Sequence, residues 1–250
     1  MTKLILAVGM LMVGLSGCLS ARDNSSLKSI LEELDIPTSE KILASKDEFL
    51  KDLNRALESD KDNLLILVDK KHLLDKTFVP EDLIPLTKNS YFNINRNDLS
   101  LRKSVLDALI KMSDAAKKDG ITILVSSTYR SYDYQAGLYA RNVKQLGKAV
   151  ADRESAPPGA SQHQLGVAID FGSITDEFAE TKQGKWLFDN APKFGFSLSF
   201  PDGYEHITGF RWECWHYRYI GLEATVLQQK WFNNVQQYMI EFIDKWKSAT

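Results

Sequence analysis

Apolar residues are distributed along this chain in runs of three kinds. The first covers residues 4–15, almost unbroken and preceded by Lys3. It falls short of the ~20 apolar residues that a bilayer span needs. It reads as an export signal over residues 1–17. Residues 18–26 are small and polar and read as a tether. The second kind has helical spacing. Leu27, Ile30, Leu31 and Leu34 share one face until Pro37 stops the helix. A new helix starts at Thr38-Ser39-Glu40, with Ile42, Leu43, Phe49, Leu50, Leu53 and Leu57 apolar. This helical extension over residues 27–62 carries no chemical motif and reads as packing.

The third kind is short and of strand length. Residues 63–68 form one such run. After a loop-rich passage, Asp98 stands where it can cap a helix bearing Leu101, Val105, Leu109 and Met112, which Gly120 closes. Residues 121–125 are β-branched and predict a strand. Gln135, Leu138 and Tyr139 begin a helix. Leu165, Val167 and Ile169 alternate with smaller residues and predict a strand ending at Asp170. Residues 184–191 predict a short helix, and residues 194–200 and 212–219 two further strands. Leu227, Trp231, Val235, Tyr238, Phe242 and Trp246 make one stripe of a C-terminal packing helix. The mixture predicts an α+β domain over residues 63–250.

Composition narrows the classes. The chain has 250 residues and a formal net charge of -2. The absence of a basic excess argues against a nucleic-acid partner. There are two cysteines, Cys18 and Cys214. If the first is modified next to the export signal, Cys214 is the only free thiol and no internal disulfide is possible.

The chain has four histidines. His163 stands before the 165–170 strand, Asp170 at its end, and His216 in Glu213-Cys214-Trp215-His216. Two histidines and a carboxylate are a donor set for catalytic zinc, which takes three protein ligands and leaves one position open. His72 and His206 have no second ligand type within a strand's length. Spacing alone leaves both readings open, a single zinc ion or unrelated core and surface histidines. Glu213 is the natural general base beside such a site. Residues three apart on a regular strand face opposite sides. Glu213 therefore needs a bulge or strand end before His216, and a surface ion pair explains it equally well. Arg130, just past the 121–125 strand, could clamp a carboxylate or sit in a surface ion pair.

These residues lie within four motifs in order: Ser127-Thr128-Tyr129-Arg130-Ser131 with Gln135; Pro158-Gly159-Ala160-Ser161-Gln162-His163 through Asp170; Trp186-Leu187 through Phe194-Gly195-Phe196; and Glu213 through Tyr219. The chain resembles the VanY-type D-alanyl-D-alanine carboxypeptidases, zinc peptidases that trim peptidoglycan stem peptides; the L,D-carboxypeptidases are close relatives. The resemblance implies that His163, Asp170 and His216 hold one zinc ion and that Glu213 activates water. It implies that Arg130, Gln135 and Ser161 hold the stem peptide. The implied fold is similar to lysostaphin-like peptidases and hedgehog, a small antiparallel sheet flanked by helices. Leu15-Ser16-Gly17-Cys18 likewise resembles a lipobox, which implies lipidation at Cys18 and a membrane anchor in the bacterial envelope. Gln162 stands where the family usually has Glu, Cys214 where it has Pro, and Ser199-Phe200-Pro201 where it has Arg-Tyr-Pro. These departures bear on substrate preference, and a thiol beside the metal strand could compete for zinc. A peptidoglycan-binding lipoprotein without catalysis, and an endopeptidase or dipeptidase on the same core, are the rival readings.

Overall fold

The computed structural model describes residues 16–249, with side chains from Ser25 onward. The expected signal segment lies almost wholly outside the described residues, as does the side chain of Cys18. The described residues open with α1 (Ser16–Glu33), α2 (Ser39–Ala44) and α3 (Lys46–Ser59). Residues 18–26, read as a tether, are helical within α1. Leu27, Ile30 and Leu31 repeat at three and four residues, which places them on one buried face.

Residues 63–68, expected as a strand, have no ladder partner. Their carbonyls are served from elsewhere. The guanidinium of Arg218, 1 % exposed, donates from Nη2 to the Leu64 and Ile66 carbonyls at 2.5 and 2.8 Å. Burial lowers the Arg218 pKa to about 10, so it stays charged at neutral pH. Charged hydrogen bonds of this kind contribute about 1.5–3 kcal/mol each. Arg218→Met should therefore destabilise the protein by roughly 3 kcal/mol, read from the urea midpoint. An unchanged midpoint would mean that these carbonyls find other donors.

β1 (Leu83–Pro85) pairs antiparallel with β3 (Ser100–Arg102), and β2 (Asn93–Ile94) lies between them in sequence. β3 claims the residues expected as the first helical turn. Helix α4 (Lys103–Lys118) accordingly starts after Arg102, and Asp98 pairs with Arg96 instead of capping. β4 (Leu124–Ser127) follows, then α5 (Tyr132–Leu146), α6 (Lys148–Glu154), β5 (Ala168–Phe171), α7 (Lys182–Asn190), β6 (Phe196–Leu198), α8 (Glu205–Thr208) and β7 (His216–Tyr219). The main sheet has the order β2-β4-β5-β7-β6. It is antiparallel except for the β2–β4 edge, which is parallel. The expected antiparallel sheet is thus slightly mixed.

The C-terminal apolar stripe is divided between two helices, α9 (Leu222–Trp231) and α10 (Gln236–Ala249). Asn233 and Asn234 break it, with φ of 50° and 58°. Asparagine is among the few residues that adopt such angles readily. The stripe keeps its burial across the break. Trp231, Phe232 and Phe242 close around Phe49 of α3, with ring centroids 5.3–6.0 Å apart. A second apolar cluster lies between α4 and the main sheet. No helix among the described residues is long and apolar enough to cross a membrane.

Candidate metal centre

β5 and β7 set the centre of the site. In their antiparallel register Asp170 lies directly opposite His216. Directly opposed residues project on the same face. His163 reaches that face from the single 3-10 turn Gln162–Leu165 ahead of β5. Ser161 caps this turn, its Oγ accepting from the His163 amide at 3.3 Å. Gly166 ends it at φ 70°, where a Cβ would come within 2.9 Å of Leu83.

The donor atoms of the three residues lie within 4.8 Å of one another. His163 Nε2 is 3.3 Å from Asp170 Oδ2, and His216 Nδ1 is 3.1 Å from Asp170 Oδ1. His163 Nδ1 donates to the Thr128 carbonyl at 2.7 Å, which leaves a lone pair on Nε2. Yet His163 Nε2 and Asp170 Oδ1 are buried without a hydrogen-bond partner. Lone pairs crowded together in a buried pocket are costly unless a cation sits among them. The donors are two imidazole nitrogens and a carboxylate, the set that suits zinc. The residues present therefore fit a divalent ion.

Electrostatics agree with the fit. Burial, and then the charge of Arg130, lowers His163 to about 4, so it is neutral at pH 7. Burial pushes the Asp170 carboxyl up, but His163 and the Arg130 guanidinium outweigh it and hold the group well below the usual range. With His163 neutral, the lasting cation beside Asp170 is Arg130, whose Nη2 donates to Oδ2 at 2.5 Å. Burial, and then the negative charge of Asp170, raises Glu213 to about 8.

Glu213 escapes the alternation problem because β7 starts only at His216. Residues 212–215, expected as strand, turn instead, and the His216 amide donates to the Glu213 carbonyl at 3.3 Å. This brings Glu213 Oε2 within 3.5 Å of His216 Nδ1. The carboxylate faces a cavity of about 290 Å³ that Arg130, Ser161, His163, Asp170, Arg211 and His216 also line.

The remaining expected residues fall in different places. Arg130 borders the cavity and also donates to Ser127 Oγ at 3.0 Å and Gln135 Oε1 at 3.4 Å. Gln135 is 1 % exposed and lies behind Arg130, with its Nε2 on the Ala156 carbonyl at 2.7 Å. Cys214 does not point at the metal donors. Its thiol donates to the Thr175 and Asp176 carbonyls and lines a separate cavity. His72 pairs with Asp69, away from the group. Sequence reasoning missed the support around the donors, namely the Thr128 carbonyl, Gln162 and Phe200. The Phe200 ring lies 4.7 Å from that of His216. The one available signal was the position of Gln162, next to His163.

Two histidines and a carboxylate, with a glutamate beside them on a mixed sheet, are a donor set that suits a zinc hydrolase. The comparisons narrow this class. The model of the VanY family, D-alanyl-D-alanine carboxypeptidase, matches residues 98–222. This chain belongs to that family. It is 37 % identical to the putative carboxypeptidase YodJ of Bacillus subtilis over 174 residues, which cover 67 % of this chain and 64 % of that protein. The chain thus spans less than two thirds of YodJ's length. Among solved structures it is similar to the LdcB LD-carboxypeptidase, at 35 % identity and TM-score 0.64, over 73 % of this chain and 86 % of that one. It is also similar to a mutant VanY D,D-pentapeptidase from a VanB-type resistance cassette in complex with Zn(II). There the identity is 30 % and the TM-score 0.56, over 66 % of this chain and 92 % of that one.

Proposed function

We propose that this protein is a zinc carboxypeptidase that removes the C-terminal D-alanine from peptidoglycan stem peptides. The observation that carries the reading is the buried His163–Asp170–His216 group, with two donor atoms lacking a hydrogen-bond partner and Glu213 beside it. Membership of the VanY family and the Zn(II) in a related structure support it. Zinc held by His163 Nε2, Asp170 Oδ1 and His216 Nδ1 would polarise the scissile carbonyl and acidify water.

The protein's own groups then divide the work. Glu213 accepts a proton from the attacking water on its carboxylate and passes it to the departing amine. A pKa raised to about 8 suits a group that must both hold and release a proton. A guanidinium has five donors. Arg130, which borders the cavity, uses three on Ser127, Gln135 and Asp170 and keeps two for the terminal carboxylate of the substrate. Ser161 borders the same cavity and offers its hydroxyl to the peptide. Gln135 acts on the substrate through Arg130, by fixing the guanidinium plane. We further infer export, lipidation at Cys18 and attachment to the envelope membrane, the reading that the sequence of residues 4–18 supports.

Mass spectrometry of products from synthetic tetrapeptide and pentapeptide stems tests the proposal. Release of free D-alanine that stops with a chelator and returns with zinc is the expected result. Cleavage between internal residues would favour the endopeptidase reading. No cleavage by zinc-loaded protein would favour binding without catalysis.

A further inference from the structure

Behind His216 runs a line of hydrogen bonds whose direction is set at its far end. Gln236 on α10 donates from Nε2 to the Ser197 carbonyl of β6 at 3.5 Å. A backbone carbonyl only accepts. The Gln236 NH2 must therefore face it, which turns Oε1 toward Gln162. Gln162 Nε2 donates to that oxygen at 3.4 Å. The Gln162 oxygen then faces Ser199 Oγ at 2.7 Å and His216 Nε2 at 3.2 Å. An amide oxygen also only accepts. His216 must carry its proton on Nε2, and Nδ1 is left with a lone pair toward Asp170 and Glu213.

The opposing pull is plain. Asp170 Oδ1 lies 3.1 Å from His216 Nδ1 and Glu213 Oε2 3.5 Å from it. Carboxylates so close would draw the imidazole proton to Nδ1, where it would block a metal. Gln162, Ser199 and Gln236 are each at most 6 % exposed, so bulk water is a poor substitute for the acceptor they supply.

We propose that Gln162 and Gln236 form a positioning relay that fixes the His216 tautomer, with the C-terminal helix selecting which nitrogen faces the ion. The relay rests on the reading of His216 as a metal ligand. Gln162 borders the cavity and Gln236 lies behind it; within the relay both act through His216.

The test uses the full folded chain carrying Gln162→Met, which removes the acceptor at similar volume, Gln162→Glu, which retains it, and Gln236→Leu. Two quantities are read: the imidazole 15N shifts of His216 in metal-free protein, and zinc affinity by chelator competition. Gln162→Met should populate the Nδ1–H tautomer and weaken zinc about 10- to 100-fold. Gln162→Glu should keep the Nε2–H tautomer and bind zinc like the unsubstituted chain. Gln236→Leu should shift both readouts in the same direction as Gln162→Met, by less. An unchanged tautomer and affinity in Gln162→Met overturns the relay. If that variant does not fold, unchanged readouts in Gln236→Leu overturn it. Zinc stoichiometry of the unsubstituted protein tests the metal reading separately.

Discussion

Glu213→Ala is expected to lower kcat for D-alanine release by about 10²- to 10⁴-fold, the usual contribution of a positioned acid–base group. KM and bound zinc should change little, because Glu213 is not one of the three grouped donors. The fold should not suffer either. The side chain of Glu213 is 13 % exposed, and its pKa of about 8 reflects a carboxyl held in an unfavourable place. Removing it relieves that burial. The measurement is a steady-state assay on stem peptides alongside metal analysis of the same sample. Turnover equal to that of the unsubstituted enzyme, with zinc present, would reject Glu213 as the base. Lost zinc would instead make it a ligand.

How much of this was readable from residues depends on how local each cause is. The strand that carries Asp170 is legible because Val167 and Ile169 alternate with smaller residues and share one buried face. The meeting of His163, Asp170 and His216 is legible only as a donor set. Sequence spacing says nothing of the register that puts Asp170 opposite His216. Residues 63–68 look like a strand because they are apolar. Their carbonyls are instead taken by Arg218, 152 or more positions away, and no local pattern records that. The same holds for residues 212–215. Alternating aromatic residues suggest a strand, but the His216 amide bonds back to the Glu213 carbonyl and makes a turn. The C-terminal stripe is legible as a buried face. Its break is visible only in the Asn233-Asn234 pair, which a search for apolar periodicity passes over. Gln162 is the clearest omission. It reads as a variation next to a ligand, and its part in the site appears only when α10 brings Gln236 to it.

Two substitutions at Asp170 should separate the two things this carboxylate does. It faces the imidazoles of His163 and His216, and it is the counter-charge to Arg130 at 2.5 Å, with side chains 3 % and 17 % exposed. Asp170→Ala removes both functions. Breaking such a pair strands a charge, which costs about 3–5 kcal/mol in a buried setting. Arg130 borders the cavity and can recover some hydration, so about 3 kcal/mol is expected in the metal-free protein. Asp170→Asn keeps an oxygen that can accept from Arg130 but loses the negative charge. It should keep most of the stability and still lose zinc, since a neutral amide is a poor ligand for a divalent ion. Activity should fall to background in both variants. The checks are urea midpoints in chelator, zinc content after dialysis, and D-alanine release. If Asp170→Asn held zinc as tightly as the unsubstituted chain, the carboxylate would be a structural partner of Arg130 alone. The lone pairs at His163 and His216 would then need another explanation.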